Sequence, residues 1–284
     1  MDMTRLKSHV LAPLLLGIAT CAMAASASAP ATSAESDATT PAAQPRATRP
    51  AQSGYLSADA VDMLAVLPAA PRPGEARYEN DRRIFRETRA LQGSPRWQLA
   101  ADDADLSATA MLRDFSCSLD IELTPQQAPR LVQLLQKATH DGAQSMLKAK
   151  EYYKRQRPFW IDEGPICRPR DELGKTYDYP SGHTTAGWTW ALALAQVAPE
   201  HATAIFARGR AIGDSRIVCG VHNASAVEAA RLLTSAVMSL VTITPAYQQD
   251  LAAARAELAG LRAASHLQPQ PARCAAEAQL IRVP

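Results

Sequence analysis

Three short clusters of basic and hydroxyl side chains have the composition of a phosphate-binding site. The first contains Lys150 and, seven residues later, Arg157 followed by proline. The second is the sequence Tyr179-Pro180-Ser181-Gly182-His183-Thr184, and the third joins Ser215-Arg216 to His222. Together they supply three fixed positive charges, two imidazoles and a hydroxyl, together with the free amides of a helix start. These groups bind a phosphate dianion and stabilise a developing oxyanion, so the predicted chemistry is phosphoryl transfer.

The individual residues suit different parts of this chemistry. Arg157 and Arg216 have planar guanidinium groups that bind phosphoryl oxygens bidentately, whereas the ammonium of Lys150 is a compact charge. Ser181 and Gly182 stand where a loop is predicted to become a helix, and the free amides there favour an anion. Taken singly, each residue is more simply explained as a surface cation, an N-cap or a turn residue. The prediction rests on their combination.

Two histidines complete the predicted site. His183 and His222 each begin a predicted helix, so the two imidazoles could face one phosphate from opposite sides. In-line displacement needs a nucleophile on one side of the phosphorus and an acid for the leaving oxygen on the other. We therefore expect these histidines to be the catalytic pair.

The elements that must position these residues are predicted to be helices in a single all-α domain. Apolar residues make up 47% of the chain but aromatic residues only 5%, which suits closely packed helices better than a β-sandwich. The apolar spacing predicts helices over about 99–115, 124–153 (with Pro129 as an alternative start), 182–197, 199–212, 222–243 and 247–264. Asp102, Asp103 and Asp105 would then lie at the N-terminal end of the helix over 99–115, where negative charge is favourable.

The first 54 residues are predicted to lie outside this domain, which would cover 55–284. Arg5 and Lys7 precede a short apolar run that ends in Ala22-Met23-Ala24, the pattern of a secretory signal peptide over residues 1–24. Residues 25–54 are rich in Ala, Ser, Thr and Pro, which predicts a flexible leader. The expected location is therefore periplasmic or secreted, and an uncleaved membrane anchor is the alternative.

Export affects the interpretation of the cysteines. Cleavage after Ala24 would remove Cys21 and leave four, which are Cys117, Cys167, Cys219 and Cys274. An even number in an oxidising compartment predicts disulfides, but four cysteines allow three complete pairings and the sequence does not choose among them. The spacing is unlike that of a zinc site, and we expect neither a metal nor another cofactor.

Charge and hydropathy narrow the range of partners. The formal net charge of +2 becomes +1 when Asp2, Arg5 and Lys7 leave with the signal peptide, which gives no footprint for nucleic acid. No later segment is predicted to be a stable membrane span. The expected partners are small-molecule phosphomonoesters, with inorganic phosphate or vanadate as inhibitors. A homodimer is left open.

The clusters together resemble the signature of the type 2 phosphatidic acid phosphatase and vanadium haloperoxidase superfamily. Within it, the chain is more similar to the bacterial class A non-specific acid phosphatases, through four stretches between about residues 99 and 232. These stretches are Ala101-Asp102-Asp103-Ala104-Asp105, Tyr153-Lys154-Arg155-Gln156-Arg157-Pro158-Phe159, Tyr179-Pro180-Ser181-Gly182-His183-Thr184 and Ser215-Arg216-Ile217-Val218-Cys219-Gly220-Val221-His222. The combination is far more specific than any one stretch.

The resemblance implies a secreted, metal-independent, all-helical phosphatase that hydrolyses many phosphomonoesters at acidic pH through a covalent phosphohistidine. Carried over to the matching positions, His222 would be the nucleophile, and His183 would be the general acid that later activates water. The residues that would hold the phosphoryl oxygens are Lys150, Arg157, Ser181, Gly182 and Arg216.

One position departs from the family pattern. The family has an aspartate four residues after the nucleophile, where its carboxylate bonds the second ring nitrogen and fixes the tautomer, whereas this chain has Ala226. Ser225 is better placed to substitute but uncharged, and Glu228 should face away on the helix. The sequence therefore predicts an acid phosphatase with reduced activity.

Other functions stay open at this point. A catalytically silent protein would bind phosphate or vanadate on the same fold without turnover. A vanadate-dependent oxidase or a lipid phosphatase would use the same phosphate-binding residues, although lipid phosphatases of the superfamily usually have several membrane spans.

Overall fold

The computed structural model describes residues 53–174, 176–263 and 267–282. Within these ranges the chain forms ten α-helices and three short 3-10 helices, with no β-strand. This confirms the all-α prediction. The predicted signal peptide and almost all of the predicted leader lie outside the described residues.

The helices follow one another through short loops. In chain order they are α1 (Met63–Val66), α2 (Ala76–Thr88), α3 (Pro95–Asp102), α4 (Ala108–Leu119), α5 (Pro129–Tyr153), α6 (Gly182–Val197), α7 (Ala202–Val218), α8 (Ala224–Val241), α9 (Pro245–Arg262) and α10 (Pro271–Leu280). Single 3-10 turns occur at Arg89–Leu91, Pro158–Trp160 and Pro199–His201.

Helix α6 is the centre of the domain and packs against α5, α7, α8 and α9. Its closest neighbour is α7, because glycines on both helices remove the side chains that would keep them apart. A Cβ on Gly209 would lie 2.3 Å from Cβ of Ala191, and one on Gly187 would lie 2.6 Å from a methyl carbon of Ile212. These pairs show that the two helices run antiparallel, which brings the start of α6 alongside the end of α7.

Several predicted helices agree closely with the structure. Helix α5 begins at Pro129, where the missing amide of proline costs no hydrogen bond. The bounds of α6 are those predicted, and α9 differs from its prediction by two residues at each end. Helix α7 is longer than predicted and contains Ser215 and Arg216, so the end of this helix, rather than a loop, presents the third cluster.

The prediction of one helix over 99–115 is wrong. Helix α3 ends at Asp102, and a separate helix begins after Ser107, whose Oγ accepts a hydrogen bond from the amide of Ala110. Asp103 is the C-cap residue of α3 and does not lie at a helix N-terminus, and its buried carboxylate pairs with Arg208 at 2.5 Å. Local pattern missed this ion pair, which joins residues 105 positions apart.

Two disulfides staple the helical domain. Cys117–Cys274 joins α4 to α10, and Cys167–Cys219 joins the loop before α6 to the C-terminal cap of α7. This is one of the three pairings that the sequence allows.

Within the described ranges, one helix is long and apolar enough to cross a membrane by length and composition, namely α8. More than half of it, 56%, is buried inside the domain, where it packs against α5 and α6. The prediction that no later segment is a stable membrane span is not decided by this helix. A buried core helix has the same hydropathy as a short span, so composition does not separate the two.

Candidate active site

His222 lies in the short turn between α7 and α8. Gly220 permits the turn, since its φ of +76° falls in the left-handed region that side chains disfavour. The amides of Val221 and His222 both donate to the carbonyl of Arg216, at 3.1 and 3.2 Å. Asn223 is the N-cap residue of α8. The predicted nucleophile is thus held by backbone bonds on one side and by a helix start on the other.

Two neighbours determine the tautomer of His222. Nδ1 lies 3.0 Å from Oδ1 of Asp178, and Nε2 lies 3.0 Å from Nη1 of Arg157. A guanidinium only donates hydrogen bonds, so Nε2 must accept and carry the lone pair. Nδ1 then carries the hydrogen and donates it to the carboxylate of Asp178.

The His222 ring is neutral in this environment. Burial lowers its pKa well below the usual value, and the charges of Arg157 and Lys150 lower it further. His183 and Arg216 act in the same direction, so residues of all three clusters influence the pKa of this ring. The structure therefore provides a neutral imidazole with its Nε2 lone pair among cations.

Asp178 is completely buried and accepts hydrogen bonds on both oxygens. Besides His222, the amide of Asn223 donates to Oδ1 at 3.1 Å and the Asn223 side chain donates to Oδ2 at 2.8 Å. Arg155 Nη1 lies 3.4 Å from Oδ2. Burial raises the pKa of Asp178, and Arg155 and the two Asn223 bonds oppose that rise. Every one of these partners is a donor, so the pocket fits the ionised carboxylate.

The expectation that His222 lacks an orienting carboxylate is therefore wrong. Ala226 provides none, but Asp178 does, from a segment 44 residues earlier. Neither substitute considered from the sequence takes this position. Ser225 donates to Asp81 instead, and Glu228 lies at the surface, 3.5 Å from Arg77.

His183 occupies the first turn of α6, and its Nε2 lies 3.1 Å from the carbonyl oxygen of Ala104. A carbonyl only accepts, so Nε2 carries a hydrogen and Nδ1 holds the lone pair of the neutral ring. Burial, together with the charge of Arg216, lowers the pKa of His183 to about 3, and the bond to Ala104 opposes the shift. The Ala101–Asp105 stretch thus contributes to the site through a backbone carbonyl.

The three predicted phosphate-binding cations are buried and aimed at backbone oxygens. Lys150, in the last turn of α5, donates to the carbonyl of Tyr177. Arg157 donates to the carbonyl of Val221 at 2.6 Å as well as to His222. Arg216 donates to the carbonyl of Ala100, and its Nε is buried without a hydrogen-bond partner among the described residues. That unsatisfied donor is a group that an anion could satisfy.

The electrostatics of these cations favour an anionic ligand. Burial, together with Arg157, lowers the pKa of Lys150 to about 7, with Asp178 opposing. Burial also lowers the pKa of Arg216 to about 10, with Asp103 opposing, and lowers that of Arg157. Because burial and mutual repulsion disfavour these charges, a bound phosphate dianion would raise the pKa values of the three cations.

Ser181 and Gly182 are placed differently from one another. Ser181 is buried and serves as the N-cap of α6, since its Oγ accepts from the amide of Thr184 at 3.4 Å and from its hydroxyl at 2.9 Å. The first intrahelical bond runs from Thr185 to the Ser181 carbonyl. The amides of Gly182 and His183 precede it, and such amides favour anions. Phosphate binding by Ser181 and Gly182 stays a prediction.

Sequence reasoning missed the residues that support His222 and Arg157. They are Asp178 and Asn223 beside His222, Arg155 beside Asp178, and Thr176, which bonds Arg157 through its hydroxyl at 2.9 Å. The only local signal was a carboxylate immediately before the second cluster. The position of Asp178 in the sequence does not indicate that its partner is His222.

A buried neutral histidine with its lone pair on Nε2, a second imidazole and several buried cations on an all-α scaffold are groups that suit phosphoryl transfer. Comparison with known proteins agrees with this class. Residues 132–250 match the profile of the PAP2 superfamily. The chain is 39% identical over 207 residues to an acid phosphatase of Zymomonas mobilis subsp. mobilis, covering 72% of this chain and 78% of that protein.

Two further relatives are non-specific acid phosphatases. The one from Providencia stuartii is 37% identical over 212 residues, which cover 73% of this chain and 86% of the relative. The one from Salmonella typhimurium is 36% identical over 203 residues, which cover 70% and 81%. The chain belongs to the PAP2 superfamily and, within it, to the non-specific acid phosphatases, which confirms the resemblance found in its motifs.

Proposed function

We propose that this protein is an exported, metal-independent acid phosphatase that hydrolyses phosphomonoesters through a phosphohistidine on Nε2 of His222. The observation that carries the proposal is the tautomer of His222. Arg157 and Asp178 leave the lone pair on Nε2, the nitrogen that lies next to a guanidinium able to bind a phosphoryl oxygen.

In the first step, Nε2 of His222 attacks phosphorus and the bond from phosphorus to the ester oxygen breaks. The leaving oxygen takes a proton from Nδ1 of His183 in its imidazolium form, because Nε2 of that ring is already bonded to Ala104. Lys150, Arg157 and Arg216 stabilise the charge on the non-bridging oxygens.

In the second step, a water molecule attacks the phosphohistidine and its proton passes to Nδ1 of His183. The bond between phosphorus and nitrogen breaks, and inorganic phosphate leaves. The lone pair is again on Nε2 of His222 and the proton is again on Nδ1 of His183, so the cycle consumes only water and ester.

Export is the second part of the proposal. The small-x-small sequence at residues 22–24 has the form of a cleavage site. The two disulfides support an oxidising compartment, since structural disulfides are rare in reducing ones. Mass spectrometry of the mature N-terminus from a periplasmic fraction would test this part.

The test of the chemistry is hydrolysis of p-nitrophenyl phosphate in EDTA by wild type, His222→Ala and the control variant His201→Ala, with base-quenched samples analysed by mass spectrometry for phosphohistidine. We expect EDTA-resistant turnover and a phosphoenzyme in wild type and His201→Ala, and neither in His222→Ala. Turnover that survives His222→Ala would refute the mechanism.

A catalytically silent phosphate-binding protein would bind vanadate without any turnover. The main reason to consider this function was that position 226 lacks a carboxylate. Asp178 supplies a carboxylate to His222 from elsewhere in the chain, and the same assay separates the two functions.

A further inference from the structure

We propose that Asp178 positions His222 for attack, in the role that the family assigns to an aspartate four residues after the nucleophile. The inference rests on the proposed function, because it assumes that Nε2 of His222 is the attacking atom. It names a positioning residue in a part of the chain where the family pattern has none.

Within the described ranges, the carboxylate that contacts Nδ1 of His222 is that of Asp178. Oδ1 of Asp178 already accepts the Nδ1 hydrogen of His222 at 3.0 Å. Ala226, at the family position, has a fully buried side chain in the main apolar cluster. The orienting carboxylate therefore reaches the ring from the loop before α6 and not from the first turn of α8.

Asp178 is itself held rigidly. Its amide donates to the carbonyl of Arg155 at 2.8 Å, and both of its oxygens accept from Asn223. Arg155 divides its guanidinium between two carboxylates, since it also pairs with Asp81 at 2.8 Å. One cation shared by two anions leaves negative charge on Asp178 that can interact with the His222 ring.

This charge has two chemical consequences. Before attack, it keeps the hydrogen on Nδ1 and so keeps the Nε2 lone pair available. After attack, Nε2 is bonded to phosphorus and the ring is positively charged, so the adjacent carboxylate stabilises the intermediate. Loss of an equivalent carboxylate in a protease triad costs about 10⁴-fold in turnover, through the wrong tautomer.

The test compares Asp178→Asn with Asp81→Asn. The second variant removes a carboxylate from the same buried network without touching His222. We expect Asp178→Asn to slow single-turnover formation of the phosphoenzyme about 10²- to 10⁴-fold, while vanadate affinity changes far less. Asp81→Asn should form the phosphoenzyme at a rate within about fivefold of wild type, since a partner removed from a buried network mainly affects stability.

A measurement on the unmodified protein accompanies the variants. Nitrogen-15 NMR of the His222 ring should show the Nδ1–H tautomer throughout the pH range of activity. An Nε2–H tautomer in wild type would overturn the inference, as would an Asp178→Asn variant that forms the phosphoenzyme at the wild-type rate or slows only as much as Asp81→Asn. Failure of the proposed function looks different, because then wild type forms no phosphoenzyme and His222→Ala keeps its activity.

Discussion

The amide of Ser181 donates a hydrogen bond of 3.0 Å to the carbonyl oxygen of Ala226. This bond joins the start of α6 to the first turn of α8. His183 lies two residues beyond one partner and His222 four residues before the other, so a single backbone contact helps to set the spacing of the two histidines. The side chain of Ala226 is fully buried beside this contact.

Restoring the family aspartate at this position should therefore harm the protein. We predict that Ala226→Asp lowers the melting temperature and does not raise kcat, because Nδ1 of His222 is already bonded to Asp178 and a second buried carboxylate would lack a partner. The cost is several kcal/mol by analogy with other unpaired buried charges, roughly 3–5. Thermal denaturation and steady-state kinetics check this, with Ala226→Ser as the uncharged control. A gain in kcat would show that Asp178 does not complete the site.

The activity should rise as the pH falls. The pKa of His183 is about 3 in the free protein, chiefly because of burial, so near neutrality the acid proton must arrive with the substrate. Phosphomonoesters lose their second proton at about pH 6. We expect kcat/KM for an alkyl phosphate to decrease about tenfold per pH unit above that value. Lys150, with its pKa near 7, adds a further loss above neutrality. If kcat/KM stayed constant up to pH 8, the assignment of the acid proton to the substrate would be wrong.

The role of His183 can be isolated through the leaving group. An alkoxide needs protonation as it leaves, whereas nitrophenolate is a good leaving group without it. We predict that His183→Ala reduces kcat for an alkyl phosphate about 10²- to 10⁴-fold and reduces kcat for p-nitrophenyl phosphate much less. Equal losses on both substrates would indicate a binding role instead. His140→Ala serves as a control for replacing a histidine elsewhere.

The two disulfides should have separable effects. Cys219 lies three residues before His222, so the double variant Cys167→Ser/Cys219→Ser should lower both the melting temperature and kcat. Cys117→Ser/Cys274→Ser releases α10, which has no fully buried residue of its own, and should lower the melting temperature alone. Each loss is expected to cost about 2–4 kcal/mol. Kinetics are compared at a temperature where both variants remain folded, and an equal loss of kcat in both would contradict the prediction.

Asp114 should destabilise the fold as it ionises. Burial raises its pKa to about 6, with Arg208 opposing, and its Oδ2 has no partner among the described residues. In the unfolded chain an aspartate carboxyl has a pKa of about 3.9. Between that pH and about 6, the folded protein binds more protons than the unfolded chain, so its stability decreases with rising pH. We predict that Asp114→Asn raises the melting temperature at pH 7 and changes it little at pH 4.

An exposed carboxylate provides the matched control for that experiment. The pKa of Asp105 is lowered by its hydrogen bonds from Ser107, so its stabilising contribution is present at neutral pH and is lost as the pH falls. Asp105→Asn should therefore have the opposite sign and lower the melting temperature at pH 7. If the melting temperatures of the two variants at pH 7 changed in the same direction, the explanation through shifted pKa values would be wrong.

The helices that carry the site were predictable because their signals are local. Pro129 marks the start of α5, and the apolar run of α6 is bounded as the structure has it. The break between α3 and α4 was missed, and Asp103, which lies in that break, forms a buried ion pair with Arg208. Long-range partners of this kind leave no periodic signal in the sequence.

The sequence by itself determined the class of chemistry, the helical scaffold and which two histidines and three cations belong to the candidate site, since residue type and spacing carry that information. Tertiary structure decided which nitrogen of His222 is free, which carboxylate holds the other, and which cysteines pair. The orienting contact joins Asp178 to His222 across 44 residues. A hydrogen bond depends on distance in space, and only the packing of α6 against α7 and α8 brings those two side chains together.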